Sequence, residues 1–256
     1  IQMQLELWRE DSQIQGVLIT SSSPKAFCVG GDIRYLYDSY KSGNQGHQAY
    51  FATEYTMLDT IRHYPKTVVA LLDGYVLGGG FGLAQACHIQ VSSEKSRFAM
   101  PETVIGFFPD VGATYFLSRL DEVGVYLALT GEQMSSGDAL HFDLVDYHVP
   151  SENLSTLQAE LISEQHLDKT KIIEVISRFI TNPVDSDLKE YSDHIQKHFL
   201  FENLNEIEQS LAEEKNAKDQ IWAEKTLAIL QKRPVMAKQT SLKLQQVGQS
   251  LSLEKC

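Results

Sequence analysis

Short apolar runs alternate with helical patterns over the first 150 residues of the chain. Residues 16–20 and 67–72 are apolar runs of strand length, which predict two buried strands. The periodicity of residues 48–64 predicts a helix in the same part of the chain. Such alternation is typical of α/β proteins, in which helices cover a sheet.

After residue 150 the strand signals end, and charged amphipathic patterns follow. The predicted helices cover residues 152–164, 171–180, 187–201, 204–214 and 217–232. Residues 135–149 predict a short helix that runs into a strand, and prolines at Thr181-Asn182-Pro183 and Lys232-Arg233-Pro234 punctuate the later helices. We therefore predict an α/β core over residues 1–150 and a helical region over residues 151–256 that packs on it.

Composition narrows the class of protein. With 43% apolar and 22% charged residues, the 256-residue chain can bury a full core. The net charge of −12 is spread over both halves, which argues against nucleic acid as a partner. The longest apolar stretches are far shorter than the roughly 18–20 residues that cross a bilayer, so no membrane span is predicted.

The cysteines and the chain ends add two further expectations. Cys28, Cys87 and Cys256 are too few and too scattered for a disulfide framework or a zinc site, so we expect no metal and a reducing compartment. The chain opens at Ile1 without Met and stops at Cys256 within a helix-like pattern. We expect that both ends are truncated and that any targeting segment lies outside the sequence.

A glycine cluster over residues 73–82 is the first candidate for chemistry. It follows the predicted strand 67–72 and leads into the apolar residues 83–87, a pattern that predicts strand, turn and helix. Glycines let backbone N–H groups approach a ligand, and the positive end of the next helix favours an anion or a developing oxyanion. A tight turn without a function is the alternative, because the spacing matches neither a dinucleotide motif nor a P-loop.

A second glycine pair, Gly30-Gly31, follows the predicted strand 16–20 and its polar turn. Two glycine segments at the ends of two strands can each supply one N–H to the same oxygen, which builds an oxyanion hole from backbone alone. The alternative is that the pair merely begins a helix.

Glu102 and Asp110 each follow a proline in an otherwise apolar segment. Their apolar neighbours are Val104, Ile105, Phe107 and Phe108. We expect these neighbours to desolvate the two acids and to prepare them for divided roles as acid, base or nucleophile. The alternative is that both acids are helix caps.

Glu54 interrupts an apolar stripe on the predicted helix 48–64. The stripe consists of Tyr50, Phe51, Leu58 and Ile61. A carboxylate at that position must be paired, hydrogen-bonded or placed on a cavity wall, because burying it bare is costly. An internal ion pair with Arg62 or Arg34 is the alternative to a functional role.

Histidines and cysteines are given no catalytic role. His63, His88, His141 and His148 show neither metal spacing nor a nucleophile arrangement, so we interpret them as structural. Cys28 lies beside Gly30, but a small buried residue is the more common outcome for such a thiol.

Taken together, residues 26–33, 73–83 and 98–120 resemble the crotonase (enoyl-CoA hydratase/isomerase) superfamily in order and spacing. The resemblance implies a crotonase-like ββα-spiral core with a C-terminal helical region. It also implies an acyl-CoA thioester as the ligand, whose carbonyl is polarised by two backbone N–H groups that match Gly31 and Gly79.

Within the superfamily, the chain is most similar to the hydrolases that act on 3-hydroxyisobutyryl-CoA. The similarity lies in Gly30–Arg34, in residues 98–103 and in residues 105–112. It implies that Glu54, Gly79, Glu102 and Asp110 bind substrate or act in catalysis. Enoyl-CoA hydratases instead carry two catalytic glutamates, and the first of these positions is Gly82 here.

The resemblance therefore predicts hydrolysis of a short β-hydroxyacyl-CoA to the free acid and CoA. Glu102 is the predicted attacking group, with general-base activation of water as the rival route. Asp110 and Glu54 are predicted to hold the substrate hydroxyl and Glu102, and Lys25 and Arg34 to meet CoA phosphates. The alternatives are enoyl-CoA hydration or isomerisation, and a non-catalytic acyl-CoA-binding protein.

No cofactor is predicted beyond the CoA of the substrate, and a homo-oligomeric state is left open. The expected location is the cytoplasm in a bacterium or the mitochondrial matrix in a eukaryote.

Overall fold

The computed structural model describes residues 1–182 and 186–256. Within these ranges the strands are β1 (Gly16–Ile19), β2 (Ala26–Cys28), β3 (Thr67–Leu72), β4 (Tyr75–Leu77), β5 (Ile89–Ser92), β6 (Arg97–Ala99), β7 (Met134–Ser135) and β8 (Tyr147–His148). Pro183, part of one predicted helix break, lies outside the described residues.

The helices are α1 (Gln2–Arg9), α2 (Ile33–Lys41), α3 (Gly46–Arg62), α4 (Gly79–Ala86), α5 (Ala113–Phe116), α6 (Asp121–Thr130), α7 (Ser136–His141), α8 (Leu154–Ser163), α9 (Lys169–Ser177), α10 (Asp187–Glu190), α11 (Ser192–Phe199), α12 (Leu204–Ala212), α13 (Ala217–Gln231) and α14 (Val235–Gly248). Short 3₁₀ helices cover Pro101–Ile105, Leu117–Arg119, Ser151–Asn153 and Leu253–Lys255.

The predicted fold class is confirmed, because parallel strands and helices alternate early and the described residues after β8 form helices alone. The predicted helix 187–201 is two helices, α10 and α11, which meet at Tyr191. Pro234 separates α13 from α14, as the break at that position predicts. The sequence pattern does not predict α6.

The chain forms two compact units that interleave along the sequence. Of the described residues, unit 1 holds 1–96 and 145–182, and unit 2 holds 97–144 and 186–256. The two units are groups of residues that pack together in the structure, whereas the predicted division at residue 150 follows the change from mixed to helical secondary structure. That division stays a prediction about domains.

Unit 1 is built on a parallel sheet in the order β1-β3-β5-β8. Its strand β3 is an almost continuous apolar run, as expected for a parallel strand buried on both faces. Helices α8 and α9 pack on the sheet. The buried residues they contribute are Leu154, Leu157, Leu161, Ile172, Val175 and Ile176. Their spacing of three and four residues is the periodicity that predicts these helices.

Strands β2 and β4 of unit 1 pair in parallel and belong to a second sheet, whose strand order is β2-β4-β6-β7. Ala26 pairs with Tyr75 and Cys28 with Val76, with an irregular register between them. Because the pair is parallel, the carboxyl ends of both strands meet at one edge. The glycine pair follows β2 and the glycine cluster continues past β4, so this pairing brings the two glycine segments to the same edge.

Unit 2 is centred on α6, which is buried from Val123 to Thr130. A helix that is apolar on all sides belongs in a core, and α11, α13 and α14 pack around it. It ends at Gly131, whose φ of 70° suits glycine. A methyl group on Gly131 would lie 3.2 Å from the Cα of Pro101, so the end of α6 supports the 3₁₀ helix that carries Glu102.

Candidate functional site

The two glycine segments lie side by side in unit 1. A methyl group on Gly30 would lie 3.3 Å from the backbone nitrogen of Gly79, and one on Gly79 would lie 3.4 Å from the Cα of Gly30. The predicted proximity of the segments is therefore present. One detail differs, because Gly30 follows the short strand β2 rather than the strand over residues 16–20 directly.

Helix α4 begins inside the glycine cluster rather than after it. Gly78 is its N-cap with φ 53°, a conformation that favours glycine, and Gly79 is its first residue. A methyl group on Gly80 would overlap the backbone carbonyl of Cys28, so α4 packs against β2 at backbone distance. The amide of Gly79 is at the first helical position, where an N–H has no carbonyl partner within the helix and can donate to a ligand.

Gly31 lies between the end of β2 and the start of α2. The helix begins at Ile33, and the side chain of Asp32 caps it by accepting a hydrogen bond from the Tyr35 backbone N–H at 3.0 Å. The glycine pair is therefore outside the helix.

Glu54 lies on α3 with its carboxylate against Gly79. A methyl group on Gly79 would lie 2.7 Å from Glu54 Oε1. The carboxylate of Glu54 therefore lies next to the N-terminus of α4, and its role in the site stays a prediction. The structure thus brings together Gly31, Gly79 and Glu54 in unit 1.

The sequence interpretation missed Tyr50 as a functional candidate. A methyl group on Gly31 would overlap the hydroxyl of Tyr50 and would lie 3.0 Å from its Cζ. The available signal was spacing, because Tyr50 lies four residues before Glu54 and so shares its helix face. An aromatic residue in an apolar stripe is ordinarily interpreted as core.

Lys25 and Arg34 are both exposed residues of unit 1. Lys25 precedes β2, and its carbonyl accepts a hydrogen bond from the Tyr75 backbone N–H at 3.0 Å. Arg34 lies in the first turn of α2. Their contact with CoA phosphates stays a prediction.

Glu102 belongs to unit 2 and is 9% exposed. It lies in the first turn of the 3₁₀ helix Pro101–Ile105, and its backbone carbonyl accepts a hydrogen bond from the Phe107 N–H at 3.0 Å. The expected shielding by Val104 and Ile105 is wrong, because these side chains are 47% and 59% exposed. The 3₁₀ helix turns Glu102 and Thr103 inward and these two apolar residues outward.

Asp110 is half-buried at the start of a strained turn in unit 2. Its backbone carbonyl accepts a hydrogen bond from the Ala113 N–H at 2.7 Å. The N-cap of α5 is Gly112, with no side-chain cap bond, so Asp110 is not the cap of that helix. Val111 has φ 46°, which is strained for a β-branched residue and is typical of functional sites.

His88, His148 and Cys87, for which no catalytic role is predicted, are buried or hydrogen-bonded. His88 Nδ1 accepts a hydrogen bond from the Val68 N–H at 2.9 Å, and its Nε2 lies 3.1 Å from the Arg62 carbonyl, an arrangement that braces β3 and α3. Burial lowers the pKa of His148. Burial raises the pKa of Cys87 to about 12, so its thiol is unreactive near neutral pH.

The described parts of the chain, residues 1–182 and 186–256, contain no group of three or more histidine, cysteine or acidic side chains arranged to hold a metal ion. They also contain no helix with the length and apolar character that a membrane crossing requires.

Comparisons with known proteins agree with the motifs. The family model described as enoyl-CoA hydratase/isomerase matches residues 1–256. The chain is 40% identical to the mitochondrial 3-hydroxyisobutyryl-CoA hydrolase of Xenopus laevis over 80% of its own length and 51% of that protein. It is 34% identical to the hydrolase of the same name from Gallus gallus, over 98% of its own length and 66% of that protein.

A solved structure, a carnitinyl-CoA dehydratase from Mycobacterium thermoresistibile, is similar with a TM-score of 0.90 and 28% identity. The similarity covers 99% of this chain and 72% of that one. The chain thus spans between about half and two thirds of the length of the curated relatives. Given the match over all 256 residues, the chain belongs to the enoyl-CoA hydratase/isomerase family.

Proposed function

We propose that the protein cleaves the thioester of a short β-hydroxyacyl-CoA, such as 3-hydroxyisobutyryl-CoA, to the free acid and CoA. The observation that carries the proposal is the buried carboxylate of Glu102 together with an α4 that contains no acidic residue. Hydration uses two carboxyl groups in the related hydratases, and Gly82 occupies the position of the first. The names of the curated relatives support hydrolysis.

The backbone amides of Gly31 and Gly79 polarise the thioester carbonyl in this proposal. Support comes from the adjacent backbones of the two glycine segments and from the position of Gly79 at the start of α4. Fixed N–H dipoles stabilise the negative charge that develops on the oxygen, and each donor contributes on the order of 3 kcal/mol to the transition state.

Glu102 supplies the attacking oxygen. Its carboxylate adds to the carbonyl carbon, the C–S bond breaks, and CoA leaves as a thiolate that takes a proton from water. The resulting mixed anhydride reacts with a second water, which restores the Glu102 carboxylate and releases the acid. In the rival route Glu102 removes a proton from the attacking water, and no anhydride forms.

Asp110 and Glu54 recognise the hydroxyl of the acyl group and orient Glu102. A site built to hydrogen-bond a hydroxyl discriminates against acyl chains that lack it, because its buried polar groups are left unpaired. Half-burial of both acids is consistent with this role. Lys25 and Arg34 contact the phosphates of CoA, since both are exposed cations that flank the glycine pair. The proposal includes no cofactor other than the CoA of the substrate.

Enoyl-CoA hydration or isomerisation is the second candidate function. The name of the similar dehydratase structure favours it, at 28% identity. Gly82 argues against it, because a glycine can neither position nor activate a water molecule. A binding protein without catalysis is the third possibility, and the buried Glu102 argues against that one.

The experiment that tests the proposal is a panel of acyl-CoAs with and without a β-hydroxyl. The purified full chain is incubated with each compound, free thiol is followed with a chromogenic thiol reagent, and the acyl products are identified by mass spectrometry. We expect thiol release from hydroxyacyl-CoAs. Hydrated or isomerised acyl-CoA without thiol would establish the second candidate, and unchanged acyl-CoA that is nevertheless bound would establish a binding protein.

The location of the protein is also a proposal. The curated relatives are named as mitochondrial proteins. We propose the mitochondrial matrix if the host is a eukaryote and the cytoplasm if it is a bacterium. Fluorescence microscopy of the full-length natural protein with a C-terminal tag tests this, and a signal outside these compartments contradicts it.

A further inference from the structure

Two polar side chains on one face of α3 each contact one of the two glycines proposed for the oxyanion site, Gly31 and Gly79. Glu54 and Tyr50 are four residues apart, which places them one above the other on the helix. The Glu54 carboxylate lies against Gly79, and the Tyr50 hydroxyl lies against the Cα of Gly31. Each glycine of the proposed oxyanion site therefore has a different side-chain neighbour, an acid at one and a phenol at the other.

The ring of Tyr50 contacts two other aromatic rings. The ring centroid of Tyr35, on α2, lies 6.3 Å away, and that of Phe51 lies 5.8 Å away with its ring at right angles. Such contacts limit the movement of the Tyr50 ring. The hydroxyl is therefore positioned before any ligand binds, which is the condition for effective electrostatic stabilisation of a transition state.

The chemistry of the two side chains assigns them different roles. A carboxyl group in its ionised form only accepts hydrogen bonds, so Glu54 in that form does not stabilise an oxygen that gains negative charge. A phenol donates one hydrogen bond, and tyrosine hydroxyls serve as donors of this kind in other oxyanion sites. The donor lies on the Gly31 side, beside the Cα of the residue whose amide is proposed to hold the carbonyl oxygen.

We propose that Tyr50 is a third hydrogen-bond donor to the thioester carbonyl oxygen, beside the amides of Gly31 and Gly79. This inference rests on the proposed function, because it requires an acyl-CoA carbonyl bound by the amides of Gly31 and Gly79. No bond to Tyr50 forms or breaks. The hydrogen bond strengthens as charge develops on the oxygen, so its effect falls on turnover rather than on substrate binding.

The kinetic test is Tyr50→Phe, which removes the donor and keeps the ring and its aromatic contacts. We expect kcat to fall about 10- to 100-fold while KM stays within about twofold, the pattern for loss of an interaction made in the transition state. The loss is the same for acyl-CoAs with and without a hydroxyl. Tyr40→Phe is the matched control, because Tyr40 is 71% exposed on α2, and its kcat is expected to be unchanged.

A spectroscopic test separates this inference from the proposed function. An acyl-CoA with a ¹³C-labelled thioester carbonyl is bound to Glu102→Gln and to the double variant Glu102→Gln, Tyr50→Phe. We expect the infrared C=O stretch to move to higher frequency in the double variant, because one hydrogen bond to the oxygen is lost. This readout does not depend on which reaction the enzyme catalyses.

Three results would overturn the role of Tyr50. They are an unchanged kcat in Tyr50→Phe, a loss expressed only in KM, or a bound carbonyl band at the same frequency in both variants. A loss confined to hydroxylated acyl-CoAs would reassign Tyr50 to recognition of the acyl hydroxyl and would also overturn the proposal. If neither variant binds the labelled acyl-CoA, the proposed function fails and the inference fails with it.

Discussion

The glycine segments of unit 1 are fixed by backbone packing, whereas the acids Glu102 and Asp110 of unit 2 stand on short, irregular elements. In unit 1, the parallel pairing of β2 with β4 and the direct packing of α4 on β2 hold Gly31 and Gly79 at one edge. In unit 2, Glu102 and Asp110 are carried by a short 3₁₀ helix and a strained turn. The two regions therefore differ in what fixes the predicted site residues, which is close backbone packing in unit 1 and local turn geometry in unit 2.

The difference predicts opposite responses to mutation. At Gly80, an added methyl group meets backbone atoms of Cys28 that cannot move without disturbing β2 or α4. At Glu102 and Asp110, the proposed function makes the chemical group matter more than its volume, so we expect a substitution of equal size to leave the fold intact and to lower activity. Three substitutions, two of them with a matched control, test this contrast.

Glu102→Gln is expected to have the largest effect. Replacing the carboxylate that we propose as the attacking group by an amide of the same size is expected to lower kcat by about 10³-fold or more. We expect the Tm to stay within a few degrees of the wild-type value. Thiol release and differential scanning calorimetry measure the two quantities. Glu224→Gln, the same change at an exposed position of α13 in unit 2, is the control, and equal turnover in the two variants would refute the role of Glu102.

Gly80→Ala is the corresponding change in unit 1. Its methyl group overlaps the Cys28 carbonyl, so we expect a loss of about 3 kcal/mol in the free energy of unfolding. Displacement of the adjacent Gly79 amide is expected to lower kcat about 100-fold. Urea unfolding and thiol release measure the two effects.

Gly43→Ala is the matched control for that change. Gly43 has φ 73°, but no heavy atom lies within 4 Å of an added methyl group. We expect a cost of about 1 kcal/mol from backbone strain, with kcat unchanged. Equal effects of the two glycine substitutions on activity would contradict the importance of close packing at Gly80.

Asp110→Asn is expected to have a smaller and selective effect. The amide still fills the space but loses a charge-assisted hydrogen bond to the substrate hydroxyl, so kcat/KM for hydroxyacyl-CoAs falls about 10-fold more than for unsubstituted acyl-CoAs. Parallel kinetics on the two substrate classes measure the ratio. Equal losses for both would show that Asp110 does not recognise the hydroxyl.

The smallest expected effect is a pH dependence of the free energy of unfolding. It comes from a charged cluster in unit 2, formed by Lys197, His198 and Glu214, that includes none of the predicted site residues. Burial lowers the pKa of His198, whose Nε2 lies 3.0 Å from Glu214. Hydrogen bonds from Lys197 and from the Asn216 N–H lower the pKa of Glu214 to about 2. Both shifts mean that the unfolded state binds more protons than the folded state on acidification.

The free energy of unfolding is therefore expected to fall in two stages. The first begins below about pH 6.5, as histidine in the unfolded state takes up a proton. The second runs from pH 4.5 towards about 2, as the contribution of ionised Glu214 is lost. Urea unfolding at a series of pH values measures the curve. His198→Gln should flatten the first stage only, and an unchanged slope between pH 7 and pH 5 would contradict the assignment.

Sequence patterns predicted the parts of the fold that have strong periodicity. β3 is a six-residue apolar run, and α8 and α9 carry clear apolar stripes, so these elements were recognised. By contrast, β4 has three residues, too few to show a period. α6 was missed because it is apolar on nearly every side, which leaves no stripe.

The candidate site follows the same rule. The glycine spacing indicated a close approach of two backbones, and the structure contains it between Gly30 and Gly79. The outward direction of the Val104 side chain could not be predicted, because packing decides which side of a five-residue 3₁₀ helix faces inward. The positive φ of Val111 also lacks a sequence signal, since valine is among the residues least suited to it.

Val111 has an evolutionary consequence. A valine at φ 46° stores about 1–3 kcal/mol of conformational energy that the surrounding packing must supply. A laboratory selection for heat resistance should therefore accumulate replacements at this position that relax the turn. Because the turn begins at Asp110, we expect the selected variants to be slower catalysts. Selection for turnover is expected to restore the original valine.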